Sequence, residues 1–188
     1  MNTIKSIFTV GLLLASVNVY AADNIETSKF VETAAAAGVK EIEVSQMAVI
    51  KASSGAVKAF AQQMIVDHTK VNAELSKIAK AKNLNVATDS AVHNKPQAVD
   101  LKSLEGESFD KAYVSHQIMA HKEAIALFER GVNAEDAEIS AYAKSTLPKL
   151  EHHLKMAEDL ADKTTVSKKD NKDLHRLNDS SADANKPM

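Results

Sequence analysis

The amino-acid sequence predicts an all-α fold, a four-helix bundle of two helical hairpins joined by a long crossover. Three observations predict it. The composition favours helix: Ala, Lys, Glu and Leu are abundant, while the 188 residues include only 5 Gly, 3 Pro, no Trp and 4% aromatics. Apolar residues recur at three- and four-residue spacing in four separate stretches. The breaks inside each pair of stretches are short, whereas the one between the pairs runs to about 25 residues.

Residues 1–21 stand apart from the fold. Lys5 supplies a positive start, "IFTVGLLLA" a short apolar core, and "VYA" places Val19 and Ala21 at the positions a signal peptidase reads. The reading is a signal peptide, with the mature chain starting near Ala22 in the periplasm. The apolar run is too short for a transmembrane helix, which needs about 20 such residues, so no transmembrane anchor is expected after processing. The chain contains no Cys, which excludes a lipid-attachment cysteine, a disulfide staple and thiolate chemistry. Removing Lys5 from the 23 basic side chains leaves 22 against 25 acidic ones, a formal charge of −3, with no basic stripe interleaved with aromatics. Nucleic acid is not an expected partner, and the sequence names no protein partner.

The bundle domain is expected over residues 22–163. Its first helix covers residues 28–52, with Thr27 or Ser28 as N-cap, and "SSG" at 53–55 marks the break. The second helix follows at once and runs to about Lys82; so short a turn makes the two an antiparallel hairpin. From Asn83 to Glu107 periodicity is lost and Asn, Asp, Ser, Pro and Gly accumulate, although "AVDLKSL" suits a short helical turn. A helix of roughly 27 residues is about 40 Å long, a distance that this connection can span when extended. The third helix covers residues 108–131. The fourth starts after Asn133, a candidate N-cap, and runs to about Asp162, with Pro148 inside it. Two hairpins joined by one long crossover is the connectivity of ferritin-like bundles. Residues 164–188 are polar and charged, and are expected to form a disordered tail.

Each helix carries a potential metal ligand on its apolar row. Helix two reads Ala61, Met64, His68, Val71, Leu75, Ile78; helix three reads Val114, Ile118, His121, Ile125, Phe128. Helix four reads Ile139, Ala143, Thr146, Leu150, His153, Ala157, Leu160, with Leu147 and Leu154 beside it, which puts His153 toward the flank. Helix one reads Phe30, Ala34, Ala37, Glu41, Val44, Ala48. The candidate metal ligands are therefore Glu41, His68, His121 and His153. A lone histidine on an apolar face is more often a hydrogen-bonded core residue than a ligand; three with a carboxylate bring the two readings level. Met64 reads first as core, and second as a soft copper ligand. In "ETAAAAGVKE", Ala34, Ala37 and Gly38 read as small residues that let a neighbouring helix approach closely.

Height along the bundle divides the four candidates. Glu41 lies about 13 residues before the first turn and His68 about 14 after it, so these two are level. From a turn centred near Asn133, His121 lies about 12 residues before and His153 about 20 after, an offset of about 12 Å. On that count the four do not share one centre, and His116, His152 with Glu151, and Glu43 stand in reserve.

The stretches "AAAAGVKEIEVSQMA", "VKAFAQQMIVDH", "FDKAYVSHQIMAHKEAIALFE" and "AYAKSTLPKLEHHLKMA" together resemble the domain of unknown function 4142 family over nearly all of residues 30–160. The resemblance implies an exported bacterial four-helix bundle and family-typical polar positions at Glu41, Asp67, His68, His121 and His153. It implies no established activity. Di-iron carboxylate bundles carry Glu-x-x-His on two helices; no Glu-x-x-His occurs here, which disfavours di-iron chemistry.

The function expected from the sequence is a periplasmic bundle binding a divalent transition metal, zinc or copper, in a stress or metal-homeostasis role. The alternative is a non-catalytic envelope bundle that works through protein contact, its histidines held in hydrogen-bond networks. No nucleophile–base pair or phosphate loop is visible, so an enzyme is the least favoured class.

Overall fold

The computed structural model of the protein describes residues 25–84, 86 and 101–182, with side chains up to residue 163. The signal-peptide segment and most of the crossover lie outside the described residues. Four helices are present: α1 (Thr27–Lys51), α2 (Gly55–Ala81), α3 (Gly106–Val132) and α4 (Ala137–Ala182), with a 3₁₀ turn at Leu101–Ser103 before α3. No strand occurs among the described residues.

The helix ends follow local chemistry. The Ser54 side chain caps α2 by accepting from the Val57 N–H at 3.4 Å. At the other end of α2, Asn83 takes a positive φ of 56°. Its N–H reaches the Lys80 carbonyl, and the Leu84 N–H reaches that of Ala79 at 2.9 Å, the pattern that closes a helix through a left-handed residue. Two expected caps are corrected. Residue Glu26, not Thr27 or Ser28, occupies the N-cap position of α1, and it makes no side-chain cap bond; the Ser28 hydroxyl instead donates to Glu26 Oε1. At α4 the Asp136 carboxylate accepts from the Glu138 and Ile139 N–H groups, while Asn133 ends α3. The helical backbone of α4 continues past Asp162, the end set by its apolar row, through Ala182.

Cross-helix contacts fix an up-down-down-up arrangement in which every adjacent pair is antiparallel. Between α1 and α3, Phe30 meets Phe128 and Ser45 meets the Tyr113 hydroxyl at 2.9 Å. Beyond them, the Asp110 carboxylate accepts from the Ser53 N–H, the Ser53 hydroxyl and the Ser54 N–H. Between α2 and α4, the Tyr142 hydroxyl donates to the Val71 carbonyl and Lys82 pairs with Asp136 at 2.6 Å. The crossover leaves α2 beside the α3–α4 turn. It returns at the opposite end, where Lys51 Nζ donates to the carbonyls of Lys102 and Leu104. The crossover is therefore lengthwise, as expected of ferritin-like connectivity.

The core is split. One apolar half gathers Phe30, Val71, Leu75, Phe128, Ile139 and Tyr142 near the α3–α4 turn; the other gathers Val57, Phe60, Met64, Phe109, Tyr113 and Ala157 toward the α1–α2 turn. Between them lies a buried polar layer of Glu41, Asp67, His68, Gln117, His121 and His153. In the Ala-rich part of α1, Ala34 and Gly38 face inward but Ala37 is exposed, which corrects its place on the row. A Cβ at Gly38 would fall on the Asn72 side chain of α2, so glycine there leaves room for that side chain to lie against α1.

Candidate metal centre

Three of the four expected ligands come together. The imidazoles of His68 on α2, His121 on α3 and His153 on α4 have ring centroids 5.5 to 5.7 Å apart. One ring nitrogen from each lies within 4.8 Å of the others. All three residues are buried.

The offset predicted between His121 and His153 does not occur, because the α3–α4 turn is not where α4 first becomes level with α3. The Ser140 hydroxyl donates to the Val132 carbonyl at 2.6 Å, so Ser140 rather than the start of α4 stands at the height of the α3 end. Counted from that contact, His153 is about 13 residues on and His121 about 11 back, an offset of only about 3 Å. His153, 1% exposed, sits at the centre of its stripe and not on the flank.

Hydrogen bonds set the tautomers of two rings. His121 Nδ1 lies 2.9 Å from the Gln117 carbonyl, which can only accept, so Nδ1 carries the proton and Nε2 keeps its lone pair. His153 Nε2 lies 3.0 Å from Asp67 Oδ2, so that ring donates from Nε2 and keeps its lone pair at Nδ1. His121 Nε2, His153 Nδ1 and His68 Nε2 are buried and have no hydrogen-bond partner among the described residues. A carbonyl and a carboxylate holding the outer nitrogens while the inner ones point free is the arrangement that orients imidazoles toward a metal. A tetrahedral ion with nitrogen ligands at about 2.0 Å spaces them about 3.3 Å apart, so the rings need close only modestly.

The electrostatics favour neutral rings at His68 and His153 and charged carboxylates at Asp67 and Glu41. Burial, assisted by the neighbouring imidazoles of His121 and His153, lowers the His68 pKa to about 4 against the opposing pull of Glu41 and Asp67. Burial also lowers that of His153, although its bond to Asp67 works the other way. For Asp67 burial pushes upward, but hydrogen bonds from Gln63 and His153 and the charge of Lys149 outweigh it and hold the carboxyl at about 2. For Glu41 burial again pushes upward, and His116, His121 and His68 together bring it down to about 2. Neutral imidazoles are the form that binds a metal, and two carboxylates balance the charge of a divalent ion.

Glu41 is buried at the same level but stands outside the group whose donor atoms lie within 4.8 Å; its Oε1 lies 3.6 Å from His116 Nε2. Of the reserves, Glu43, Glu151 and His152 are exposed, and His116 serves Glu41. The sequence reading missed Gln117, fully buried on α3. The helix turns Gln117 inward where the apolar row pointed to Ile118, which is only partly buried. Glutamine one turn before His121 was the one available signal.

A buried layer of three convergent imidazoles inside a crossover-linked four-helix bundle defines a class, the helical bundles with a core donor site. Residues 15–160 match the family described as "Domain of unknown function (DUF4142)", and the chain belongs to that family. Two solved structures share the fold. A putative secreted DUF305 protein from Streptomyces coelicolor is 14% identical with a TM-score of 0.59, the match covering 70% of this chain and 87% of that one. CopM in the Cu(II)-bound form is 17% identical with a TM-score of 0.58, covering 72% and 96%. No curated protein matches the chain. Among the described residues, no helix is long and apolar enough to cross a membrane.

Proposed function

We propose that the protein is an exported metal-binding bundle that takes a divalent transition ion, copper(II) or zinc, at His68, His121 and His153, and serves metal homeostasis in the periplasm. The observation that carries this reading is a trio of clustered imidazoles, each with a buried ring nitrogen that has no hydrogen-bond partner, the other nitrogen being held by the Gln117 carbonyl in His121 and by Asp67 in His153. Leaving such groups unpaired in a packed core costs several kcal/mol; an ion coordinated by all three removes that cost. A hydrogen-bonded structural role would require acceptors and donors for those same atoms, and the described residues supply none. Imidazole donors without thiolate suit copper(II) and zinc, and the shared fold of a protein solved in its Cu(II)-bound form supports copper. The signal-like segment at residues 1–21 and the fold shared with a putative secreted protein support export.

The test is metal titration of chelator-treated protein. One equivalent of copper(II) or zinc should bind and raise the unfolding temperature, since an ion at about 100 times its Kd stabilises the folded state by about 2.7 kcal/mol. His68→Ala and His121→Ala should each abolish that gain, while His175→Ala should keep it. Unchanged melting of the wild type with both metals would defeat the proposal.

A further inference from the structure

Next to the three imidazoles lies a second set of buried polar atoms that the triad does not use. Glu41 Oε2 and both side-chain atoms of Gln117, Oε1 and Nε2, are buried and have no hydrogen-bond partner among the described residues. Gln117 is 0% exposed and Glu41 6%. They belong to the same layer: the Gln117 carbonyl holds His121 Nδ1, and the antiparallel register set by the Phe30–Phe128 and Ser45–Tyr113 contacts puts Glu41 of α1 level with Gln117 of α3. Yet Glu41 stands outside the cluster of donor atoms within 4.8 Å. Buried at the level of the triad yet outside its donor cluster, Glu41 stands where a group bonded to something on the metal would stand.

We infer that the metal site has a fourth, exchangeable position that takes a neutral protic ligand, water in the first instance, held by Glu41 and Gln117. This rests on the metal reading above. Three protein ligands plus one exchangeable position is the pattern of reactive metal sites, in contrast to closed structural ones. A bound water has two O–H donors, and Glu41 Oε2 and Gln117 Oε1 are two acceptors in need of donors. The same carboxylate repels anions, which sets the ligand class: small protic molecules enter, and small anions are turned away. Glu41 Oε1 faces His116 Nε2 at 3.6 Å, while Oε2 is the carboxylate oxygen that is buried without a hydrogen-bond partner and is the one offered to the ligand.

The experiment uses the full chain loaded with one equivalent of copper(II). Pulsed electron paramagnetic resonance in D2O should show strongly coupled exchangeable deuterons from a directly bound water. Azide, titrated by its charge-transfer absorption, should bind the wild type weakly and Glu41→Gln at least about tenfold more tightly, with copper stoichiometry unchanged. Absence of bound deuterons in the wild type, or equal azide affinity in the two proteins, overturns the inference while leaving the metal site standing. Loss of copper from a folded Glu41→Gln variant also overturns it, by making Glu41 a ligand. If the wild type binds no copper or zinc at all, the metal reading itself has failed. The deuteron measurement needs no variant, so a Glu41→Gln protein that does not fold still leaves the inference decided.

Discussion

Asp67 shows how one side chain can shape a site without entering it. Its Oδ2 receives the Nε2–H of His153, and Gln63 and Lys149 bond to the same carboxylate, so the acceptor is held in place before any ion arrives. Asp67→Ala should therefore keep all three imidazoles yet weaken metal affinity by about 10- to 100-fold, read by competition with a chromophoric chelator; His153→Ala, which deletes a donor, should cost more. Equal affinity of wild type and Asp67→Ala would remove the orienting role. At this scale the sequence was informative where the residue type is chemically loud. His68, His121 and His153 were visible because histidine interrupts an otherwise apolar row. Gln117 was not, because glutamine is common on solvated helix faces and becomes notable only when a structure shows it fully buried.

The four helices were legible from periodicity, and the helix-two row from Ala61 to Ile78 is buried at every named position. What periodicity could not supply is the rotation of α3 by part of a turn or the height at which α4 meets it, since both are set by cross-helix contacts such as Ser140 to Val132 and Tyr142 to Val71. Counting residues from the nominal turn assumed that both helices start level, and the expectation that the four candidates share no single centre came from that assumption. Close packing at the same end makes a prediction. A Cβ at Gly131 would come within 2.4 Å of the Phe30 ring, which is wedged between Phe128 and Tyr142. Gly131→Ala should destabilise the protein by about 1–3 kcal/mol despite the better helix propensity of alanine. The control is Gly55→Ala, where nothing lies within 4 Å and urea unfolding should show no loss or a gain of up to about 1 kcal/mol.

At the scale of the whole molecule, the polar layer couples folding to pH, because it separates the two apolar halves and every helix contributes to it. The groups facing one another are Glu41 from α1, Asp67 and His68 from α2, His116 and His121 from α3, and Lys149 and His153 from α4. Burial lowers the His68 pKa from 6.5 to about 4 and moves that of His153 in the same direction. Between those values the unfolded chain binds protons that the folded chain refuses, so stability rises with pH across the window. The contribution is complete above about pH 6.5 and falls away as pH drops toward 4, a loss on the order of a few kcal/mol for His68. Glu41 and Asp67, held at about 2, have the opposite charge but the same sign of effect. Their stabilisation is present above the usual carboxylate range and disappears only at still lower pH. Chelator-treated protein should therefore lose stability in two stages, the first between about pH 6.5 and 4 and the second below. His68→Leu should flatten the first stage while leaving the second. In metal-loaded protein the first stage should steepen, because protons must displace the ion from the same nitrogens. Denaturant midpoints measured from pH 8 to pH 3, with and without metal, decide the matter: a wild-type profile flat from pH 7 to 4 would show that His68 and His153 are not held neutral by the fold.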